Sequence, residues 1–132
     1  MNEPVILPRL AALEPHLRID FGNAVRLGPG KIALLKAITE TGSISAAGRA
    51  LSMSYRRAWL LVDELNSLFR HPVVTASAGG AHGGGAQITE FGHALMAAYQ
   101  RIEARTRQAI QEELAPFASD LAPLDVQVAR KP

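Results

Sequence analysis

Residues 17–27 alternate with the period of a strand. Leu17, Ile19 and Phe21 fall on one face, and Arg18 and Asp20 on the other. Gly22-Asn23 marks a turn, and Val25-Arg26-Leu27 reads as the returning strand of a short hairpin. Gly28-Pro29-Gly30 then interrupts the chain. From Lys31 to Thr41 the period becomes helical, with Ile32, Leu35 and Ile38 on one side and Leu34 flanking them. Gly42 suits the left-handed residue that ends a helix. Ser43 or Ser45 can cap the next helix, a short one from Ala46 to Leu51. Its small residues let another helix approach closely. Ser52-Met53-Ser54 is a tight connection, with Ser54 placed as an N-cap. A longer helix follows from Tyr55 to about Phe69, with a buried stripe at Ala58, Val62, Leu65 and Phe69, and Pro72 closes it.

A second hairpin is expected next. Val73 to Ser77 has strand character, Ala78 to Ala86 is a glycine-rich loop, and Gln87-Ile88-Thr89 returns. Thr89 caps a long helix that starts near Glu90 and ends at Leu114, before Pro116. Phe91, Leu95, Ala98, Ile102, Arg105 and Ala109 step along one of its faces. Residues from Phe117 onward show no period and read as a tail. There is no internal repeat. The expected fold class is mainly α with small β-hairpins: a winged helix-turn-helix with a long C-terminal dimerisation helix. The expected segments are 1–15 (N-terminal), 16–89 (winged helix-turn-helix), 90–115 (dimerisation helix) and 116–132 (flexible tail).

Composition narrows the function classes. The 132 residues are 48% hydrophobic, enough for a core. There are no cysteines, which excludes a disulfide scaffold, a zinc ribbon and a thiol nucleophile. Residues 1–13 lack the form of a signal peptide, because Glu3, Pro4, Pro8 and Arg9 interrupt the apolar stretch. No run approaches the ~20 apolar residues that span a bilayer. A soluble cytoplasmic protein with no membrane partner is expected. The formal net charge is only +2, yet between Gly42 and Val62 the charges are Arg49, Arg56 and Arg57 with no acid. A local basic face matters more for binding nucleic acid than the overall balance.

The helix order predicts double-stranded DNA as the partner. A helix-turn-helix places its second helix in the major groove, N-terminus first. The first helix of the pair must be short and small-sided, the turn tight, and the entering end polar or basic. GSISAAGRAL, SMS and Ser54-Tyr55-Arg56-Arg57 meet these demands in order. Arginine pairs bidentately with guanine edges or holds phosphates. A solvated helix face is the competing account of Arg56 and Arg57. Tyr55, at the tip, is placed to donate to a phosphate, whereas Trp59 is expected to pack in the core, as large aromatics usually do. The loop AGGAHGGGA lacks the Gly-Lys-Ser/Thr ending of a nucleotide loop and joins two strands instead of a strand and a helix. It suits a hairpin tip lying along a DNA backbone, with Gly80, Gly83 and Gly84 allowing close approach and His82 as its one long polar side chain. An exposed histidine without a role is the alternative for His82. The candidate DNA-binding residues are thus Ser43, Ser45, Ser54, Tyr55, Arg56, Arg57, Gly80, His82, Gly83 and Gly84.

No nucleophile-base-acid pattern emerges, and the serines are explained as caps and turns, so the chain is read as a non-enzyme without catalytic residues or cofactor. His16, His71, His82 and His93 show no paired ligand spacing, and no metal site is expected.

The stretch GSISAAGRALSMSYRRAWLLVDELN, followed by VVTASAGGAHGGGAQITEFGHALMAAY, resembles the N-terminal domain of the ModE family of molybdate-responsive regulators. Its first half is also similar to the helix-turn-helix of LysR-type regulators. The resemblance covers roughly residues 17–113. It implies a homodimer, paired through the long helix, acting on a palindromic operator as repressor or activator, with a link to molybdate or metal homeostasis genes. Phe91, Leu95, Ala98, Ile102 and Ala109 are the candidate dimerisation residues. A long helix with a sustained apolar stripe in so small a domain points the same way. Family members carry molybdate-binding modules after the DNA-binding domain, and the residues after Pro116 are too few to build one. The effector is therefore open: none, a separate sensor, or another ligand. Two other classes stand beside this one. One is a metal- or oxyanion-responsive sensor using His71, His82 and His93, and the other is an adaptor that uses the same fold for protein contacts.

Overall fold

The computed structural model describes residues 9–22, 24–77 and 85–122. The chain is mainly helical, with two small antiparallel hairpins. It divides into two compact units, His16–Glu103 and the pair of segments Met1–Pro15 and Ala104–Pro132.

The first unit opens with β1 (Ile19–Asp20) and β2 (Arg26–Leu27), in which Ile19 faces Leu27 and Asp20 faces Arg26. The alternation survives in part. Leu17 and Ile19 are half-buried against the core. Phe21 remains 48% exposed and meets the Phe69 ring edge-on at 6.2 Å.

Helix α1 (Pro29–Thr41) begins earlier than the Lys31 start expected from periodicity. Gly28 is its N-cap and Pro29 lies in its first turn, where a fixed φ and a missing N–H cost nothing. The Gly-Pro-Gly run therefore starts the helix. Gly42 ends it at φ 71°, its N–H bonded to the Ile38 carbonyl at 2.7 Å, as expected. Ile32, Leu34, Leu35, Ala37 and Ile38 are buried. Lys31 is buried with them. Its ammonium donates to the Arg26 carbonyl at 2.7 Å and pairs with Glu64 at 2.9 Å.

Helix α2 (Ile44–Ala50) is capped by Ser43, whose hydroxyl accepts from the Ala46 N–H at 3.1 Å. Of the two serines offered by the sequence, Ser43 caps and Ser45 lies inside the helix. Ser52 takes φ 58° in the turn, and the Met53 N–H returns to the Gly48 carbonyl at 2.9 Å. Helix α3 (Tyr55–Leu68) starts from Ser54 and buries Ala58, Leu61, Val62 and Leu65. At Gly48 the two helices come so close that an added Cβ would stand 3.0 Å from that of Ala58.

Strands β3 (Val74–Ser77) and β4 (Gly85–Ile88) pair with Val74 facing Ile88 and Ser77 facing Gly85. β4 starts before the expected Gln87, because Gly85 and Ala86 continue the ladder. Asn66 of α3 fixes this hairpin. Its amide oxygen accepts from Val73 and Val74 at 2.8 and 3.1 Å, and its amide nitrogen donates to the Val74 carbonyl at 3.0 Å. The Ala86 N–H also donates to the Gly42 carbonyl, at 2.9 Å.

Helix α4 (Glu90–Leu114) is capped by Thr89, whose hydroxyl accepts from the Gly92 N–H at 2.9 Å and donates to the Pro72 carbonyl at 2.7 Å. A Cβ on Gly92 would stand 2.6 Å from both the Val73 carbonyl oxygen and Ile88 Cγ2. The helix does not present one continuous outward stripe. Phe91, Leu95 and Met96 pack on the chain's own core, with Phe91 against Phe69 at 5.2 Å and His71 at 5.4 Å. Tyr99, off the expected stripe, is the deepest side chain of the helix, 1% exposed. Its hydroxyl donates to the Leu17 carbonyl at 2.7 Å. Ala98 is half-buried, and Ile102 is 41% exposed.

In the second unit residues 9–11 are helical, and Leu10 is buried. Its carbonyl accepts from the Gln111 amide at 3.1 Å. The Arg9 guanidinium donates to the Ala122 carbonyl. Ala109 is exposed. Ala115–Asp120 forms a 3-10 helix with Pro116 in its first turn, where the sequence reading has an aperiodic tail. Six residues are too few for apolar periodicity to declare them. Among the described residues no helix is long and apolar enough to cross a membrane.

Two outcomes follow from this packing. Gly92→Ala should destabilise the protein by about 1–3 kcal/mol through overpacking against backbone, seen as a lower urea midpoint at unchanged slope. For Tyr99, burial first and the Glu103 charge second raise the hydroxyl's pKa above 10.0. The unfolded chain ionises near the ordinary value while the folded chain keeps the proton. That stabilisation is full below pH 10 and is lost as pH rises through the folded value. Tyr99→Phe should cost about 1 kcal/mol near neutral pH and lose less stability than the parent above pH ~10, by urea unfolding at both pH values.

Candidate nucleic-acid interface

The tight α2–α3 contact at Gly48 leaves the N-terminal turn of α3 standing free of the core. Ser54 builds that turn, its hydroxyl accepting from the Arg57 N–H at 3.0 Å. The next three residues, Tyr55, Arg56 and Arg57, are all exposed, Tyr55 to 63%. Helical phase accounts for the two arginines, because the buried positions 58, 61, 62 and 65 occupy one face and Arg56 and Arg57 fall off it, whereas Tyr55 lies one turn before Ala58, past the end of that buried face. Among the described residues the only ion pair is Lys31–Glu64, so neither Arg56 nor Arg57 has a carboxylate partner.

The exposed face continues past the first turn. A shallow groove along α3 is lined by Tyr55, Arg56, Arg57, Trp59, Leu60 and Asp63. Trp59 corrects the sequence expectation. It is 41% exposed, and its ring meets that of Tyr55 edge-on at 6.2 Å. Leu60 is 49% exposed beside it. The signal was present in the stripe itself, since position 59 lies off the 58, 62, 65 series; aromatic size was the weaker guide.

A second, deeper cleft of about 500 Å³ separates α3 from the second hairpin, with Ser45, Trp59, Asn66, Thr75 and Gly85 among its walls. Ser45 therefore faces the groove between helix and hairpin, while the hydroxyls of Ser43 and Ser54 accept in the caps of α2 and α3. Gly80, His82, Gly83 and Gly84 lie outside the described residues. Strands β3 and β4 are tied through Asn66 to the body of α3.

This surface offers guanidinium, phenol and indole N–H donors beside apolar ring and leucine edges. That combination suits base edges, thymine methyl groups and phosphate oxygens. Among the described residues no group of three His, Cys, Asp or Glu side chains is placed to hold a metal ion. His71 stacks at a tilt on Phe91, and His93 is exposed on α4.

The chain is similar to several known proteins. The chain is 53% identical over 82 residues to the molybdenum-pterin-binding protein MopB of Rhodobacter capsulatus, covering 62% of this chain and 30% of that protein. It is 34% identical over 115 residues to the molybdenum transport protein ModE of Azotobacter vinelandii, covering 87% and 42%. It is 41% identical over 71 residues to the DNA-binding transcriptional dual regulator ModE of Escherichia coli, covering 54% and 27%. Its homologues are ModE regulators and molybdenum-pterin-binding proteins. The chain spans less than half the length of these ModE and Mop relatives. No family model matches the chain. Of the three relatives, one is named for molybdenum-pterin binding, one for molybdenum transport and one for DNA-binding transcriptional regulation.

Two measurements check the geometry of α3. Trp59 is the only tryptophan. Its emission should be red-shifted and readily quenched by acrylamide; a blue-shifted, shielded signal would mean that α3 is rotated. Ser54→Ala should cost about 1 kcal/mol through loss of the cap, by thermal or urea unfolding.

Proposed function

We propose that the chain is a sequence-specific DNA-binding transcriptional regulator of the ModE type, built on a winged helix-turn-helix. The observation that carries this is the uncovered N-terminal turn of α3, with Tyr55, Arg56 and Arg57 presented beside a hairpin. In this assignment α2 and α3 form the helix-turn-helix, α3 is the recognition helix, and β3–β4 is the wing. Gly80, His82, Gly83 and Gly84, in the sequence between β3 and β4, are assigned to contact with the adjacent DNA backbone. The similarity to a DNA-binding ModE regulator supports the assignment.

The protein acts as a homodimer on an inverted repeat. Phe91 and Leu95 are largely engaged by the chain's own core, which leaves Ala98, Ile102 and Ala109 as the part of the long helix open to a second copy. The regulated genes belong to molybdate or metal homeostasis. A second reading, an oxyanion-responsive binding module in which DNA contact is secondary, is favoured by one observation. Relatives as similar as MopB are named for molybdenum-pterin binding.

Selection from a random duplex pool, with and without molybdate, tests both. Enrichment of an inverted repeat with half-sites about one helical turn apart supports the dimeric regulator. Binding without enrichment, collapsing with salt, overturns it. Arg56→Ala should keep the fold and weaken binding to the selected site by about 1–3 kcal/mol, relaxing the sequence preference at one position. Ile102→Asp should shift the sedimentation coefficient toward the monomer. An unchanged dimer removes Ile102 from the interface.

A further inference from the structure

On the flank of α3 away from the wing, the first hairpin and the start of α1 enclose a depression of about 360 Å³. Arg18 and Arg26 reach it from the hairpin and Arg57 from α3, while Lys31 and Glu64 form its inner wall. The charges do not cancel. Glu64, the one acid lining the depression, is taken by Lys31 at 2.9 Å, and Lys31 is itself buried. Asp20 stands opposite Arg26 in the strand register, but its carboxylate accepts from the Gly22 N–H at 2.8 Å and forms no ion pair with Arg26. Arg18, Arg26 and Arg57 are exposed and have no carboxylate partner among the described residues. Three guanidinium groups thus share one concave surface.

Lys31 also holds this surface in place. By donating to the Arg26 carbonyl and pairing with Glu64 of α3, it joins β2 to the recognition helix through α1. The guanidinium groups are mounted on a braced frame, and Arg57 belongs both to this depression and to the groove along α3.

We propose that this depression is a second DNA contact, in which Arg18 and Arg26, together with Arg57, hold phosphodiester groups of the backbone bordering the groove that α3 enters. The inference rests on the DNA-binding reading above and extends its footprint to the first hairpin. Continuity through Arg57 selects the DNA backbone over a free anion. It also divides the labour at the helix start. Arg57 positions the protein on phosphate, and base discrimination falls to Arg56 and its neighbours on the outer face.

The test is the salt dependence of binding to the selected duplex and to a scrambled one. Parent, Arg26→Ala, Arg18→Ala/Arg26→Ala and Arg18→Lys/Arg26→Lys are compared, with unfolding curves for each. The Arg18 stem packs over Gly28, so the lysine pair and the single Arg26 variant keep the test independent of that packing. Each lost phosphate contact should reduce the slope of log K against log salt by about 0.9, or about 1.8 per protomer for the double alanine variant. The ratio of matched to scrambled affinity should stay at the parent value, and the lysine pair should retain the parent slope. An unchanged slope in a folded double alanine variant overturns the inference and leaves the DNA-binding reading intact. A changed matched-to-scrambled ratio overturns it by assigning these arginines to base reading. Inorganic phosphate that competes far beyond chloride at equal ionic strength overturns it in favour of a free-anion site. A parent that does not discriminate the matched duplex overturns both.

Discussion

The surface of this protein depends on the absence of a side chain at Gly48. With an added Cβ only 3.0 Å from that of Ala58, α2 and α3 pack more closely than a side chain at position 48 would allow without a shift. That contact, with the Met53 N–H returned to the Gly48 carbonyl, folds the turn back tightly enough to lift Ser54 through Arg57 clear of the core. A larger residue at 48 would push α3 outward and tilt the exposed turn relative to both hairpins. The exposed arginines are therefore positioned by a residue that touches neither of them.

The same body carries a charged brace. A buried ammonium is costly, and Lys31 is tolerated because a backbone carbonyl and a carboxylate both meet it within hydrogen-bonding distance. An apolar residue of similar volume would fill the space but would not join β2, α1 and α3 at one point. The pairing also engages the one carboxylate that lines the depression shared by the arginines of the first hairpin. Charge on the surface is thus set partly by a neutralisation that takes place inside.

Much of this was legible along the chain wherever the determining interaction is local. Gly42, Ser54 and Thr89 act within three or four residues of themselves, and each ends or starts its helix as the sequence indicates. The helix pair and its tight turn follow from the same local chemistry. Pro29 misled because proline breaks a helix interior yet suits a first turn, and only the position of the cap separates the two. What stayed hidden depends on distant partners. Tyr99 turns inward because the Leu17 carbonyl waits there, a contact spanning most of the chain, whereas periodicity along α4 offered a neighbouring face equally well. Trp59 was placed inside on its size, although its phase relative to Ala58 and Val62 put it out. Arg18 and Arg26 were unremarkable as single charges. Strand pairing and the bend into α1 bring them together beside Arg57, and no spacing rule encodes that.

Asn66 ties these surfaces together more firmly than its modest side chain implies. One amide serves Val73, Val74 and the Val74 carbonyl, so the end of α3 and the root of the second hairpin share a single anchor. Sliding one past the other would break three hydrogen bonds at once. The end of α3 and the first residues of β3 are thus coupled as one piece, and a shift of either carries the other with it.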